Sequence, residues 1–261
     1  MSDTGLELVQ QGSVATLWLN RPDVHNAFDE HLIAGLTRHL RDLDSDQSVR
    51  VLVLAGRGRS FCAGADLNWM QRIAGYSESE NLKDASALAE MFRALAQLSK
   101  PTIARVHGVA LGGGLGLVAA CDMALATPNA SFGTTEVRLG LIPATIGPYV
   151  IAAIGARAAH RYFLSGERIE SEAAQRLGLV HEICPMEKLD ERLGELTLQL
   201  LNGGPSAQAA SKRLIAEIGD RPLTEQLIAD TSARIAKVRA GSEAKEGLQA
   251  FFAKRKANWI P

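Results

Sequence analysis

The stretch His107-Gly108-Val109-Ala110-Leu111-Gly112-Gly113-Gly114-Leu115-Gly116 decides how this chain is read. It follows a β-branched run, Thr102–Val106, and leads into an apolar, helix-like segment ending at Cys121-Asp122. Three consecutive glycines are costly to order, since glycine loses more backbone freedom on folding than any other residue. Such a run is kept where the backbone approaches something closely or takes a positive φ. A strand-to-helix turn also leaves unpaired N–H groups at the helix start, with a partial positive charge. The segment therefore reads as a pocket for negative charge developing on an oxygen. The competing reading is a glycine-rich turn made for tight helix packing. A dinucleotide fingerprint fails because Leu117 stands at its third glycine position, and the Gly-Lys-Ser/Thr of a P-loop is absent.

Outward from this turn, the chain alternates strands and helices. Leu6–Gln10 and Val14–Leu19 read as a hairpin around Gln11-Gly12, and a helix is expected from about Asp29 to Leu43. Val51–Ala55 is a continuous apolar run of the buried, parallel-sheet type. Ser77 and Glu80 have capping-box spacing, and Leu88, Phe92, Leu95 and Leu98 form the apolar face of the helix they open, which Pro101 closes. Further short strands are expected at Met123–Ala126, around Ser131–Phe132 and at Val180–Cys184. This is an α/β pattern up to about Glu187, with a mostly helical remainder broken at Asn202-Gly203-Gly204-Pro205.

A second glycine-punctuated loop, Gly58-Arg59-Ser60-Phe61-Cys62-Ala63-Gly64-Ala65-Asp66-Leu67, also follows a buried strand and precedes a helix-like segment. Two such turns can each offer one backbone N–H to a single oxygen, which is the arrangement of an oxyanion hole. The third element is Glu136, between Ser131-Phe132-Gly133-Thr134-Thr135 and Val137-Arg138-Leu139-Gly140-Leu141-Ile142-Pro143. A carboxylate between apolar runs suits a partly desolvated base, while a surface or helix-start glutamate is the plainer alternative.

Composition narrows the class. The 261 residues are 46% hydrophobic and 22% charged, enough for one large domain or a domain with a helical appendage. A net charge of −1 gives no electrostatic footprint for nucleic acid or anionic membrane. Cys62, Cys121 and Cys184 lack metal-ligand spacing and read as reduced, buried thiols. The six histidines, His25, His31, His39, His107, His160 and His181, show no metal spacing either. The first residues carry no signal-peptide pattern, and the longest apolar run is too short and glycine-rich to span a bilayer. A soluble, cytoplasmic protein is expected.

Together these blocks resemble the crotonase, or enoyl-CoA hydratase/isomerase, superfamily. So do the entry Leu19-Asn20-Arg21-Pro22…Asn26-Ala27 and the block Leu164-Ser165-Gly166…Ala173-Ala174…Gly178-Leu179-Val180. The run Ala65-Asp66-Leu67-Asn68-Trp69-Met70 most resembles the methylglutaconyl-CoA hydratase branch. The resemblance implies an α/β spiral of repeated β-β-α units, with residues 1–200 as the acyl-CoA-binding and catalytic core. It implies that residues 201–261 form a helical region covering the site and contributing to contacts in a homotrimer or dimer of trimers. It implies that Ala65 and Gly113 supply the two amides that hold a thioester oxygen, with Glu136 as acid and base. Ala63, Ala65, Asp66 and Leu67 would cradle the adenine of CoA, and Val24 would line its path. Trp69, Met70, Arg72 and Tyr76 would begin the acyl pocket, which Gly113, Gly116 and Pro143 would also line. CoA is part of the substrate, and no separate cofactor or metal is expected.

Two departures from the family pattern bear on the chemistry. Many hydratases of the family have a second glutamate where this chain has Gly116, and the glycine is expected to leave room for a bulkier or carboxylated acyl chain. The run Pro143-Ala144-Thr145-Ile146-Gly147-Pro148-Tyr149 also differs from relatives, and it abuts the acyl pocket in the family. A carboxylated substrate would need a cation, for which Arg72, Lys83 or Arg138 are available besides their plainer role as surface charges. Asp122 reads as a structural hydrogen-bonding residue. Lys212 reads either as a contact to CoA phosphates or as a helix-surface lysine. The expected activity is hydration of a 2-enoyl-CoA such as 3-methylglutaconyl-CoA. The alternatives are a Δ3-Δ2-enoyl-CoA isomerase and a non-catalytic CoA- or RNA-binding member.

Overall fold

In the computed structural model, which describes residues 5–219 and 221–260, the chain winds as a spiral that adds one strand to each of two sheets per turn. β1 (Leu6–Gln11) and β2 (Val14–Leu19) form the expected antiparallel hairpin. β3 (Val51–Gly56), β4 (Thr102–Val106), β6 (Met123–Ala126) and β9 (Glu182–Ile183) add to β2 in parallel, in that order. Every residue of β3 and β4 is buried, which is why both read as unbroken apolar runs rather than alternating ones. One face of the sheet, with Leu52, Leu54 and Ala104, shares a core with α1 (Glu30–Ser45) and α3 (Glu78–Ala96). The other face, with Val51, Ile103 and Leu125, packs on Leu189 and Leu201 of α7 (Met186–Asn202). Arg105 of β4 is buried on this second face and is held by Asp190 through a two-point contact of 2.6 and 3.0 Å.

The second sheet has three strands, β5 (Val109–Leu111), β7 (Ser131–Gly133) and β8 (Ile169–Glu170). Two isolated parallel bridges continue it, Cys62 to Ala110 and Phe28 to Ala65. The sequence pattern predicts one strand before the glycine turn, whereas there are two: the chain turns at Gly108 and β5 enters the other sheet. Three residues are too short to show a period. The strand expected over Val180–Cys184 is confined to Glu182–Ile183, because only Leu125 and Ala126 of β6 stand opposite it. The helix starts follow their caps. Asp29 accepts from Leu32 N–H at 2.8 Å, and the Ser77–Glu80 capping box is complete.

Beyond the break at Gly203-Gly204, α8 (Pro205–Ile218), α9 (Glu225–Ala240) and α10 (Ser242–Phe252) bury only Leu227 and Ala250 among their described residues. Lys212 ties α8 to the core, donating to Asp122 at 2.7 Å and to the Lys100 carbonyl at 3.2 Å. Asp122 also accepts from the Thr102 N–H and hydroxyl, so both residues serve the structure as a half-buried network. Arg50 binds the Gly203 and Trp259 carbonyls, and the Trp259 indole donates to the Asn202 carbonyl, closing the last turn onto the junction. The three cysteines are free, and burial pushes the thiols of Cys62 and Cys121 up to about 12. Among the described residues, no helix is long and apolar enough to cross a membrane.

Candidate active site

Three neighbouring rungs of the small sheet end at the three residues that the family resemblance singles out. The Cys62–Ala110 bridge sets the register of the first two, and Ala65 and Gly113 each lie three residues beyond it. On the third rung, Gly133 pairs with Leu111, and Glu136 follows three residues later. Parallel strands with a shared register thus deliver two loop amides and a carboxylate to one edge.

Each member is prepared locally. The Phe28 N–H donates to Gly64 O at 2.7 Å, and Asp66 N–H donates to Phe28 O at 2.8 Å. In such a parallel bridge the flanking residues face the partner, so the Ala65 N–H points the opposite way. Gly113 is the first residue of α4 (Gly113–Ala120), where an N–H has no intrahelical acceptor. Gly112 before it turns the chain at φ +49, ψ −119, a conformation glycine takes at low cost. A Cβ on Gly112 would also lie 3.2 Å from Glu136 Oε1 and 3.9 Å from Gly64 Cα, so the three rungs meet at this point.

Glu136 opens a short 3₁₀ turn, Glu136–Leu139. Its Oε2 is buried and has no hydrogen-bond partner among the described residues. Burial holds its carboxyl above the usual glutamate range, against a smaller opposing effect of its own backbone N–H. A carboxylate in this condition takes up a proton more readily than an exposed one.

The loops are fixed from behind. Asn26, fully buried, accepts from Arg21 N–H at 2.8 Å and donates to the carbonyls of Arg57, Ser60 and Phe61. Asp66 caps α2 (Leu67–Ile73) through the Asn68 and Trp69 N–H groups and pairs with Arg21 at 3.2 Å, so its carboxylate is committed to the scaffold. Ala63 is half-buried, with its N–H on the His25 carbonyl, while Val24 and Leu67 are exposed at the mouth of the loops. Met70, Tyr76 and Pro143 are half-buried.

Trp69, expected at the acyl pocket, is turned into the core at 4% exposure, and its indole donates to Asp84 at 3.3 Å. Gly116 is corrected as well. A Cβ there would overlap Ile146 Cγ2 and lie 2.9 Å from Phe92 Cε1, so side chains fill the space that the sequence reading left for substrate. Arg72 is ion-paired with Glu30 at 2.6 Å, and Arg138 lies against Gly166. The sequence reading missed Phe28 and took Ile146 only as part of a run beside the acyl pocket. Only contacts across the fold mark them, because neither carries polar chemistry nor special spacing.

A loop amide, an amide at a helix start and a desolvated carboxylate brought to one edge are groups that can move a proton next to a carbonyl whose oxygen gains charge. The profile of the enoyl-CoA hydratase/isomerase family matches residues 9–260, and the chain belongs to that family. A crotonyl-CoA hydratase from Syntrophomonas wolfei is 31% identical, covering 100% of this chain and 99% of its own. A 2,3-dehydroadipyl-CoA hydratase from Escherichia coli is 34% identical over 94% of each chain. The crystal structure of an enoyl-CoA hydratase from Shewanella pealeana superposes with a TM-score of 0.95 at 39% identity, covering 99% of this chain and 100% of that one. The fold is that of the crotonases.

Proposed function

We propose that this chain hydrates the 2,3 double bond of an enoyl-CoA thioester, with Glu136 as its single acid and base. The observation that carries the reading is the buried Oε2 of Glu136, without a hydrogen-bond partner among the described residues, on a side chain that abuts the turn leading to the Gly113 amide. The thioester oxygen lies between the Ala65 and Gly113 N–H groups, which draw electron density from Cβ of the acyl group. Glu136 takes a proton from water as the water oxygen bonds to Cβ. The resulting enolate oxygen is held by the two amides, each worth about 3–4 kcal/mol in such sites. Glu136 then returns the proton to Cα on the same face, and the carboxylate is restored. The water and proton both come from solvent, and CoA serves as the handle of the substrate.

For the acyl group, a branched, carboxylated chain of the 3-methylglutaconyl type is the reading we favour. Its support is the likeness around Ala65–Met70 and the relative acting on 2,3-dehydroadipyl-CoA. Arg72 is paired with Glu30, whereas Arg138 is exposed beside Gly166, so a terminal carboxylate draws Arg72 from Glu30, meets Arg138 or stays at the solvent edge. The second reading is a Δ3-Δ2-enoyl-CoA isomerase. It is favoured by the packed Gly116 position, since one carboxylate suffices to carry a proton from C2 to C4. We also propose that α8–α10 meet other copies of the chain, in a trimer or a pair of trimers.

The test follows the conjugated enoyl-thioester absorbance with 3-methylglutaconyl-CoA, crotonyl-CoA and a 3-enoyl-CoA. Faster loss with the branched substrate than with crotonyl-CoA is the expected result. Absorbance that grows from the 3-enoyl-CoA, with no loss from either 2-enoyl-CoA, overturns hydration in favour of isomerisation.

A further inference from the structure

We infer that Phe28 is a positioning residue that fixes the distance between the two donor amides. The inference rests on the reading of Ala65 and Gly113 as the amides that hold the thioester oxygen. Phe28 touches both loops by different parts of itself. Its main chain brackets Ala65, donating to Gly64 O at 2.7 Å and accepting from Asp66 N–H at 2.8 Å. Its ring lies across the start of α4, with Cε2 and Cδ2 at 2.5 and 2.8 Å from where a Cβ on Gly113 would stand.

Gly113 has no positive φ, so its backbone admits alanine, and the ring of Phe28 supplies the reason for glycine. The same account extends one turn along the helix. Gly116 lies three residues on, on the same face of α4, where Phe92 and Ile146 take the Cβ space. Phe28 and Phe92 meet edge to face with centroids 6.4 Å apart, and both are buried. The two glycines give α4 a flat face, and the two rings set how close that face comes to the strand bearing Ala65. Close-packed aromatic rings transmit position because they leave no slack to absorb a shift.

A misplaced donor weakens the transition state more than it weakens binding. Phe28→Ala and the milder Phe28→Leu are therefore expected to lower kcat while KM moves little. The loss should be about ten- to a hundredfold for alanine, given that a 1 Å misplacement costs about 10²-fold. The reverse fault is Gly113→Ala, whose Cβ meets the ring, and Phe28→Ala in that background should recover part of the lost kcat.

The direct readout is the absorbance of a 2,4-dienoyl-CoA bound to Glu136→Gln protein, where turnover is strongly slowed. Hydrogen bonds to the thioester oxygen shift the band to the red. The red shift is expected in Glu136→Gln alone and should shrink when Phe28→Ala or Phe28→Leu is added. A full red shift in both double variants overturns the role of Phe28. No red shift in Glu136→Gln alone overturns the donor assignment beneath it. Phe28→Leu answers the question if the alanine variant fails to fold.

Discussion

Glu136 shows at the residue scale how position alone prepares a group for chemistry. Its carboxyl is held above the ordinary glutamate range chiefly by burial. Ionising it in the folded chain therefore costs stability that the unfolded chain does not lose. The associated stability is full below the unfolded-state pKa and is lost as pH rises through the higher folded-state value. Glu136→Gln removes that cost. Its melting temperature should match wild type under acidic conditions and exceed it increasingly as pH rises above the ordinary glutamate range, then stay level. Thermal melts across that range check the sign, and a variant less stable than wild type at neutral pH would contradict it.

At the scale of elements, the site is a consequence of register. The segments ending at Ala65, Gly113 and Glu136 are neighbouring rungs, so a slip in one would move its functional group off the shared edge. The α4 face seals this arrangement. Gly116→Ala drives a methyl group into Ile146 and Phe92, and overpacking of this kind costs about 1–3 kcal/mol. The gain of about 1 kcal/mol from replacing a helix glycine offsets only part of it. A lower denaturation midpoint is expected, whereas unchanged or increased stability would mean the position is loose.

The strands over Val51–Gly56 and Thr102–Val106 were legible because burial on both faces writes a continuous apolar run. The capped starts of α1 and α3 were legible because Asp29 and Ser77 act within one turn of their own position. The two glycine-punctuated loops and Glu136 stood out in the sequence, but it was the family resemblance that singled out Ala65 and Gly113 within those loops and gave Glu136 its role. The filling of the Gly116 position, the inward turn of Trp69 and the part of Phe28 were not legible. Each depends on partners 15 or more residues away along the sequence.

The whole molecule has a tightly packed spiral and a sparsely buried helical end. Phe251 and Phe252 of α10 are 76% and 77% exposed, and Ile215, Leu223 and Leu248 are also open. Apolar exposure on this scale marks a surface made to be covered. On the proposed assembly, light scattering should give a mass of three or six chains, and Phe251→Asp with Phe252→Asp should lower it. A wild-type monomer at micromolar concentration would contradict the proposal.

The central claim is that one carboxylate, served by two amides, performs the hydration. The measurement that tests it most directly is the hydration rate of Glu136→Gln against wild type, each with its preferred 2-enoyl-CoA at saturation. The account predicts a loss of kcat of about 10²–10⁴-fold, the range for a positioned acid–base group, with substrate still bound. A Glu136→Gln protein with near-normal turnover would show that the proton is moved by another group.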